Sequence, residues 1–335
     1  MMQFIKTAGI IAGILSAGLH SGGLLAQTEL ETRQVALSQN IKIGDRIGHI
    51  RFLGMLELPD ITRNGLRLSQ LSGLAWDDDD GILYAISDRG GLFHLRPEFN
   101  GSTLTGLRLL RAIALQEPGK NKPLKRPYTD SEGLNILNGR NGRKGDTELV
   151  ISFERVPRIM RYHPDGRAIS TYPLPGVLND AKNYANANKM LESVCIDTSL
   201  GIITTPEEPL KNEPSGYTQL FSLSSMSWRY PIASGDRLTD MECLGQGELI
   251  LLQQTYLHAF GQITVTLKRV YLTSKPSSEP LSPETLVTLN NQDGFQIDNF
   301  EGLARHKGRR FFMISDNNDL FVQRTLLMYF EILEE

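Results

Sequence analysis

A short motif recurs five times along the chain, at spacings of 60, 60, 50 and 59 residues, and it limits the fold more than any other feature of the sequence. A Ser or Glu opens an apolar strand in Ser72-Gly73-Leu74, Glu132-Gly133-Leu134, Glu192-Ser193-Val194, Glu242-Cys243-Leu244 and Glu301-Gly302-Leu303. A second apolar run follows each and closes on a polar cluster: Ser87-Asp88-Arg89, Phe153-Glu154-Arg155, Pro206-Glu207-Glu208, Gln253-Gln254-Thr255 and Ser315-Asp316-Asn317. A strand-built unit of this length cannot bury both its faces alone. Stacked radially on its neighbours it can, which makes the period the signature of a β-propeller.

Within each repeat the alternation predicts four strands. The first repeat reads SGLAW, then ILYAISD, LFHLRP and LTGLRLLRAIAL, with Asp80-Gly81 between the first two runs as a hairpin turn. The last repeat stops one strand short. The apolar segment HIRFLGMLELP at 49–59 stands alone before the first repeat and is predicted to complete the last blade, pairing the two ends of the chain and removing the exposed sheet edges. The fold predicted is therefore all-β, a propeller of five four-stranded blades closed by an N-terminal strand. A sixth blade would require one of the longer repeats to hide a divergent one.

The 335 residues, 40% of them hydrophobic, are enough for one large domain, assigned to 48–335 behind a polar leader at 27–47. Residues 1–26 read as a secretory signal peptide: Lys6 supplies the positive start, an apolar stretch diluted by Gly and Ser follows, and Ala26 offers the small residue before cleavage. That implies a periplasmic or secreted protein with no stable membrane span after removal of the signal. A formal charge of −3 with dispersed Lys and Arg excludes a nucleic-acid-binding face. Only Cys195 and Cys243 remain for disulfide chemistry. They fall on adjacent repeats, but inner strands of neighbouring blades diverge, so two buried free thiols are favoured over a bridge.

The hairpin geometry places function. The start of a first strand and the end of the second share one end of the sheet, so Ser72 with Asp88, Glu132 with Glu154, Glu192 with Glu207, Glu242 with Gln254, and Glu301 with Asp316 should meet around one channel mouth. Carboxylates crowded in this way repel unless protonated, paired with Arg or neutralised by a metal. Glu132, Glu154, Glu192, Glu301 and Asp316 are the candidate metal ligands, with Ca2+ as the cofactor that an all-oxygen set suits. Arg89 and Arg155 are the candidate groups for an anionic substrate. The alternative role for the same acids is to fix one blade against the next by accepting backbone hydrogen bonds. The Asp77 to Asp80 run lacks the ligand pattern of a calcium loop and reads as a solvated turn. No nucleophile elbow, phosphate-binding loop or dinucleotide fingerprint is present, and no Ser has a His at a suggestive place, so the catalytic residues remain unassigned.

SGLAW with ILYAISDRG, DSEGLNI with ELVISFER, and DNFEGLARHKGRRFFMISDNN with QRTLLMYFEI resemble the phytase-like family described by the esterase-like activity of phytase. The resemblance spans about 48–332 and implies an exported bacterial propeller. The chain departs from the family pattern at Gln253-Gln254, where an acid followed by Arg would be expected, and at Glu207-Glu208, which lacks the Arg. Two readings follow. One is a metal-assisted phosphoesterase or esterase acting on a small anionic ester at the channel mouth; the other is a non-catalytic propeller that binds a ligand, a cation or a partner there.

Overall fold

The structure, a computed structural model, describes residues 28–334 apart from 258–260 and 276–278. The predicted signal segment lies outside the described residues. Among those described, no helix is long and apolar enough to cross a membrane.

Five antiparallel blades follow one another in sequence. Blade 1 runs Leu71–Asp77, Ile82–Ser87, Gly91–Asn100 and Thr103–Ala114. Blade 2 is Ser131–Leu137, Glu148–Phe153, Arg158–Tyr162 and Ala168–Tyr172, and blade 3 is Leu191–Asp197, Gly201–Pro206, Tyr217–Ser222 and Ser227–Pro231. Blade 4 comprises Asp236–Gly245, Glu248–Leu257, Gln262–Tyr271 and Glu284–Asn290. Blade 5 takes Asn299–Arg305, Arg310–Asp316 and Leu326–Ile332 from the C-terminal end, and Ile50–Glu57 pairs antiparallel with the last of these. The lone N-terminal strand thus closes the ring as the sequence predicts. Part of the polar leader joins in too, with Thr28–Glu29 on the outer edge of blade 1 and Arg33–Gln34 on that of blade 5.

Second strands such as Ile82–Ser87 are apolar nearly throughout because each blade is covered on both faces. Among the described residues the core accordingly divides into five apolar clusters, one between each pair of neighbouring blades. Tyr84, Ile86, Leu134 and Phe153 join blade 1 to blade 2, for example, and Leu56, Leu74, Phe312 and Tyr329 join blade 5 to blade 1.

At the axis of blades 1, 2 and 5 the neighbouring blade comes so close that the residue after the bulge must be small. A Cβ on Gly73 would lie 2.6 Å from the Glu132 carbonyl oxygen of blade 2, one on Gly133 would lie 2.6 Å from Ser193 Cα of blade 3, and one on Gly302 would lie 3.1 Å from the Ser72 carbonyl oxygen of blade 1. In blade 4 Asp240 stands at this position and turns the contact into a hydrogen bond, its carboxylate accepting from Leu303 N of blade 5 at 2.6 Å.

The same close approach overturns the expectation of free thiols. Cys195 of blade 3 and Cys243 of blade 4 form a disulfide, with their Cα atoms 5.5 Å apart. Neighbouring blades diverge outward from the axis, but at the innermost strands they have not yet separated beyond a bridge's reach. The acidic run is also not simply solvated. Asp77 is fully buried and accepts from Asp79 N and Asp80 N at 3.0 Å, while Asp79 and Asp80 hold the following loop through Asn141 N at 2.8 Å and Gly145 N at 2.9 Å.

Candidate functional site

Each inner strand carries a one-residue register shift near its start, between Leu71 and Gly73, Ser131 and Leu134, Leu191 and Ser193, Leu238 and Asp240, and Phe300 and Gly302. Such bulges re-aim a side chain out of the pleat. Four of the opening residues, Ser72, Glu132, Glu192 and Glu301, line a cavity of about 260 Å3 at one end of the channel. The ends of the second strands, Asp88, Glu154, Glu207 and Asp316, line it with them.

The fourth repeat departs from the alignment that the motif predicts, in which Glu242 pairs with Gln254. Its bulge falls at Thr239, so Thr239 is the counterpart of Glu132 and Glu192. Thr239 is buried and donates its hydroxyl to the Phe300 carbonyl of blade 5 at 3.1 Å. Glu242 lies opposite Ile250 and Gln254 opposite Arg237, so those two do not meet. Glu242 instead reaches the far end of the channel. Gln254 is fully buried, and neither its amide nitrogen nor its oxygen has a hydrogen-bond partner among the described residues.

Three charged residues that the motif did not reveal, Asp130, Lys189 and Arg237, complete the cavity together with Asn188 and Asn318. Asp130 sits two residues before Glu132 and pairs with Arg155. Lys189 Nζ donates to both oxygens of Glu207 at 2.7 Å, and Arg237 Nη1 donates to Oε1 of the same carboxylate at 2.9 Å. Of the two arginines singled out from the sequence, Arg155 lines the cavity, whereas Arg89 stands beside it, turned to Asp319 and Gln70. Asp130 and Arg237 each flank a bulge, and that adjacency was the signal available for them. Lys189 comes from the hydrated NDAKNYANANK segment, which has no repeat counterpart.

Eight carboxylates and three cations line this mouth, so full ionisation would leave a large uncompensated negative charge. Glu132 and Glu192 accept no hydrogen bond from any described residue, although Glu192 is only 5% exposed. Burial first, and then repulsion from neighbouring carboxylates, pushes Glu132, Glu192 and Glu301 well above the usual carboxylate range. The same two causes raise Glu154 to about 8 and Asp88 to about 7. Asp316 is raised to about 6, chiefly by burial and against the hydrogen bond from Asn318 N at 2.8 Å.

The carboxylates fall into two groups, Asp130 with Glu132 and Glu154, and Glu154 with Glu192 and Glu207. In each, one oxygen from every member lies within 4.8 Å of the others, and Glu154 belongs to both. Crowded and oxygen-only, this donor set fits a hard cation.

A five-bladed propeller with an acidic channel mouth defines the class. The chain belongs to the phytase-like family, described as "Esterase-like activity of phytase", whose model matches residues 66–319. No curated protein matches the chain. Among solved structures, a chain titled "Structure of U3-55K" aligns at 9% identity over 80% of this chain and 77% of its own, with a TM-score of 0.39, too low to carry any argument.

Proposed function

We propose that this protein is an exported, esterase-like hydrolase that acts on a small phosphoester or other anionic ester at the acidic mouth with the help of a divalent cation. One observation carries the reading: two overlapping carboxylate groups share Glu154 and include half-buried Glu132 and buried Glu192, neither of which accepts a hydrogen bond from a described residue. An unpaired buried charge is costly, and neutralisation by a cation or a proton is the remedy open to it.

Ca2+ is the ion this donor set suits best. Asp130, Glu132, Glu154, Glu192 and Glu207 would hold it, with Glu301 and Asp316 completing the ring. When bound, such an ion supplies Lewis-acid polarisation of the ester. The chain's own contribution is positional. Arg155, Lys189 and Arg237 surround the acids and would turn from their carboxylate partners toward the anionic group of the substrate. Arg89, held by Asp319, steers from outside the cavity. The Cys195–Cys243 disulfide supports an oxidising compartment, periplasmic or extracellular, as the place of work.

Turnover of p-nitrophenyl phosphate and of p-nitrophenyl acyl esters, with added Ca2+ and with chelator, tests the reading. Cation-dependent hydrolysis that falls at least about 100-fold in the Glu132→Gln/Glu301→Gln protein is expected. A protein that melts differently in Ca2+ yet turns over no ester under any condition would instead be a binding propeller.

A further inference from the structure

The channel has a second mouth. The late residues of the five inner strands and the loops that follow them, rather than the early residues, line a cavity of about 390 Å3 at the opposite end. Blade 1 contributes Trp76, blade 2 Ile136, blade 3 Ile196 and blade 4 Leu244, which together form an apolar wall. The polar groups are Glu242, Asn135, Arg140 and Arg305.

Neither arginine forms an ion pair with a described residue. Arg140 Nη2 donates to the carbonyl oxygens of Arg305 and His306 at 2.7 and 2.9 Å, and Arg305 Nε donates to the Gly308 carbonyl at 2.8 Å. The nearby cations do find acids, Lys307 with Asp78 at 3.5 Å and Arg309 with Glu248 at 2.6 Å. What remains is two guanidinium groups facing one carboxylate. Burial, and then the charge of Arg140, pulls Arg305 below its ordinary value, so the pair is held together against its own repulsion.

This arrangement is braced. Arg140 follows Gly139, whose carbonyl accepts from Asp78 N at 2.8 Å, and precedes Asn141 and Gly142, whose N–H groups donate to Asp79 at 2.8 and 3.1 Å. The acidic turn of blade 1 thus fixes the loop that delivers an unpaired arginine to the cavity. Glu242, drawn to about 7 by burial against the pull of Arg140 and Arg305, meets Asn135 Nδ2 of blade 2 only at 3.5 Å.

We propose that this second mouth binds a small organic oxyanion, a carboxylate or phosphoryl head on a flat apolar body, with the head on Arg140 and Arg305 and the body against Trp76, Ile136 and Leu244. Paired donors of fixed geometry are what planar recognition of such a head requires. An apolar wall with a few convergent polar groups is the usual make-up of a small-molecule site. The site is distinct from the acidic mouth and does not depend on hydrolysis there.

Calorimetric titration of the full chain with benzoate, with phenylphosphonate, which has no ester to cleave, and with uncharged benzyl alcohol tests it. At least one of the two anions should bind, and benzyl alcohol should bind at least about tenfold more weakly. Arg305→Gln should weaken anion binding by about tenfold or more, while Glu132→Gln at the other mouth should leave it unchanged. Arg140→Gln also gives up two bonds that order its loop, so Leu244→Trp, which fills the cavity and keeps both arginines, serves as the second variant and should abolish binding in a protein that melts normally. Failure of both anions to bind, binding indifferent to Arg305→Gln and Leu244→Trp, or loss of binding on Glu132→Gln would each overturn the proposal. Benzoate binding without phenylphosphonate would identify the head as a carboxylate, and the reverse as a phosphoryl group.

Discussion

The two mouths are built from the same five strands and differ in sign. At the acidic mouth the side chains come chiefly from the bulges that open four of the inner strands and from the ends of their hairpin partners, so eight carboxylates converge on three cations, each of which is already paired. At the opposite mouth they come from the last residues of the same strands, and two unpaired arginines face one glutamate. Between them lies the waist where Gly73, Gly133 and Gly302 let the blades touch. A propeller therefore separates opposite chemistries along one axis by little more than the length of a strand, and a residue's place along its strand decides which chemistry it joins.

The disulfide offers the largest handle on that contrast, because Cys243 lines the arginine mouth and is remote from the acidic one. Closing a loop with a sequence separation of 48 residues stabilises the fold by about 4 kcal/mol in the chain-entropy view. The Cys195→Ser/Cys243→Ser protein should melt on the order of 8 °C lower, and should lose anion binding at the arginine mouth before it loses Ca2+ binding at the acidic one. Equal loss at both mouths would show that the channel responds as one body.

Gly133→Ala strikes the waist itself. Its new Cβ would stand 2.5 Å from Ser152 Oγ, which accepts the Gly133 N–H at 2.9 Å, and 2.6 Å from Val194 N. Backbone is among the obstacles, so blades 2 and 3 must part. A loss of about 3 kcal/mol, read in denaturant titration, and weakening at both mouths are expected. A neutral outcome would mean that the blades slide freely at the axis.

The smallest effect is a dependence on pH centred on the acidic mouth, to which Glu242, raised to about 7 at the other mouth, adds with the same sign. Asp316, Asp88 and Glu154, raised to about 6, 7 and 8, hold protons in the folded chain that the unfolded chain releases near pH 4. Where the folded state binds more protons, stability falls with rising pH. In chelator the melting temperature should therefore be highest at mildly acidic pH and drop by a few degrees as pH rises through 8. Ca2+ should restore the loss at pH 8 and do little at pH 5, and Glu192→Gln should flatten the curve. A flat profile in chelator would remove the electrostatic basis of the cation site.

Much of this was legible in the sequence because it is local. Strand alternation, Asp80-Gly81 at a hairpin and a repeat near 60 residues need only neighbouring residues to act, and they specify five blades, their four strands and the closing strand at 49–59. Hairpin geometry alone also brings Glu132, Glu154, Glu192, Glu301 and Asp316 to one cavity. Tertiary structure decided what depends on register and on the narrowing of the ring. In blade 4 the bulge sits at Thr239, three residues before Glu242, and a three-residue offset along a strand is about 10 Å, enough to carry a carboxylate toward the other mouth. Convergence toward the axis brought Cys195 within reach of Cys243, and loops without repeat counterparts delivered Lys189 to one mouth and Arg140 to the other. Periodicity in a sequence records which residues are equivalent along the chain. Which of them share a space follows only from closing the ring.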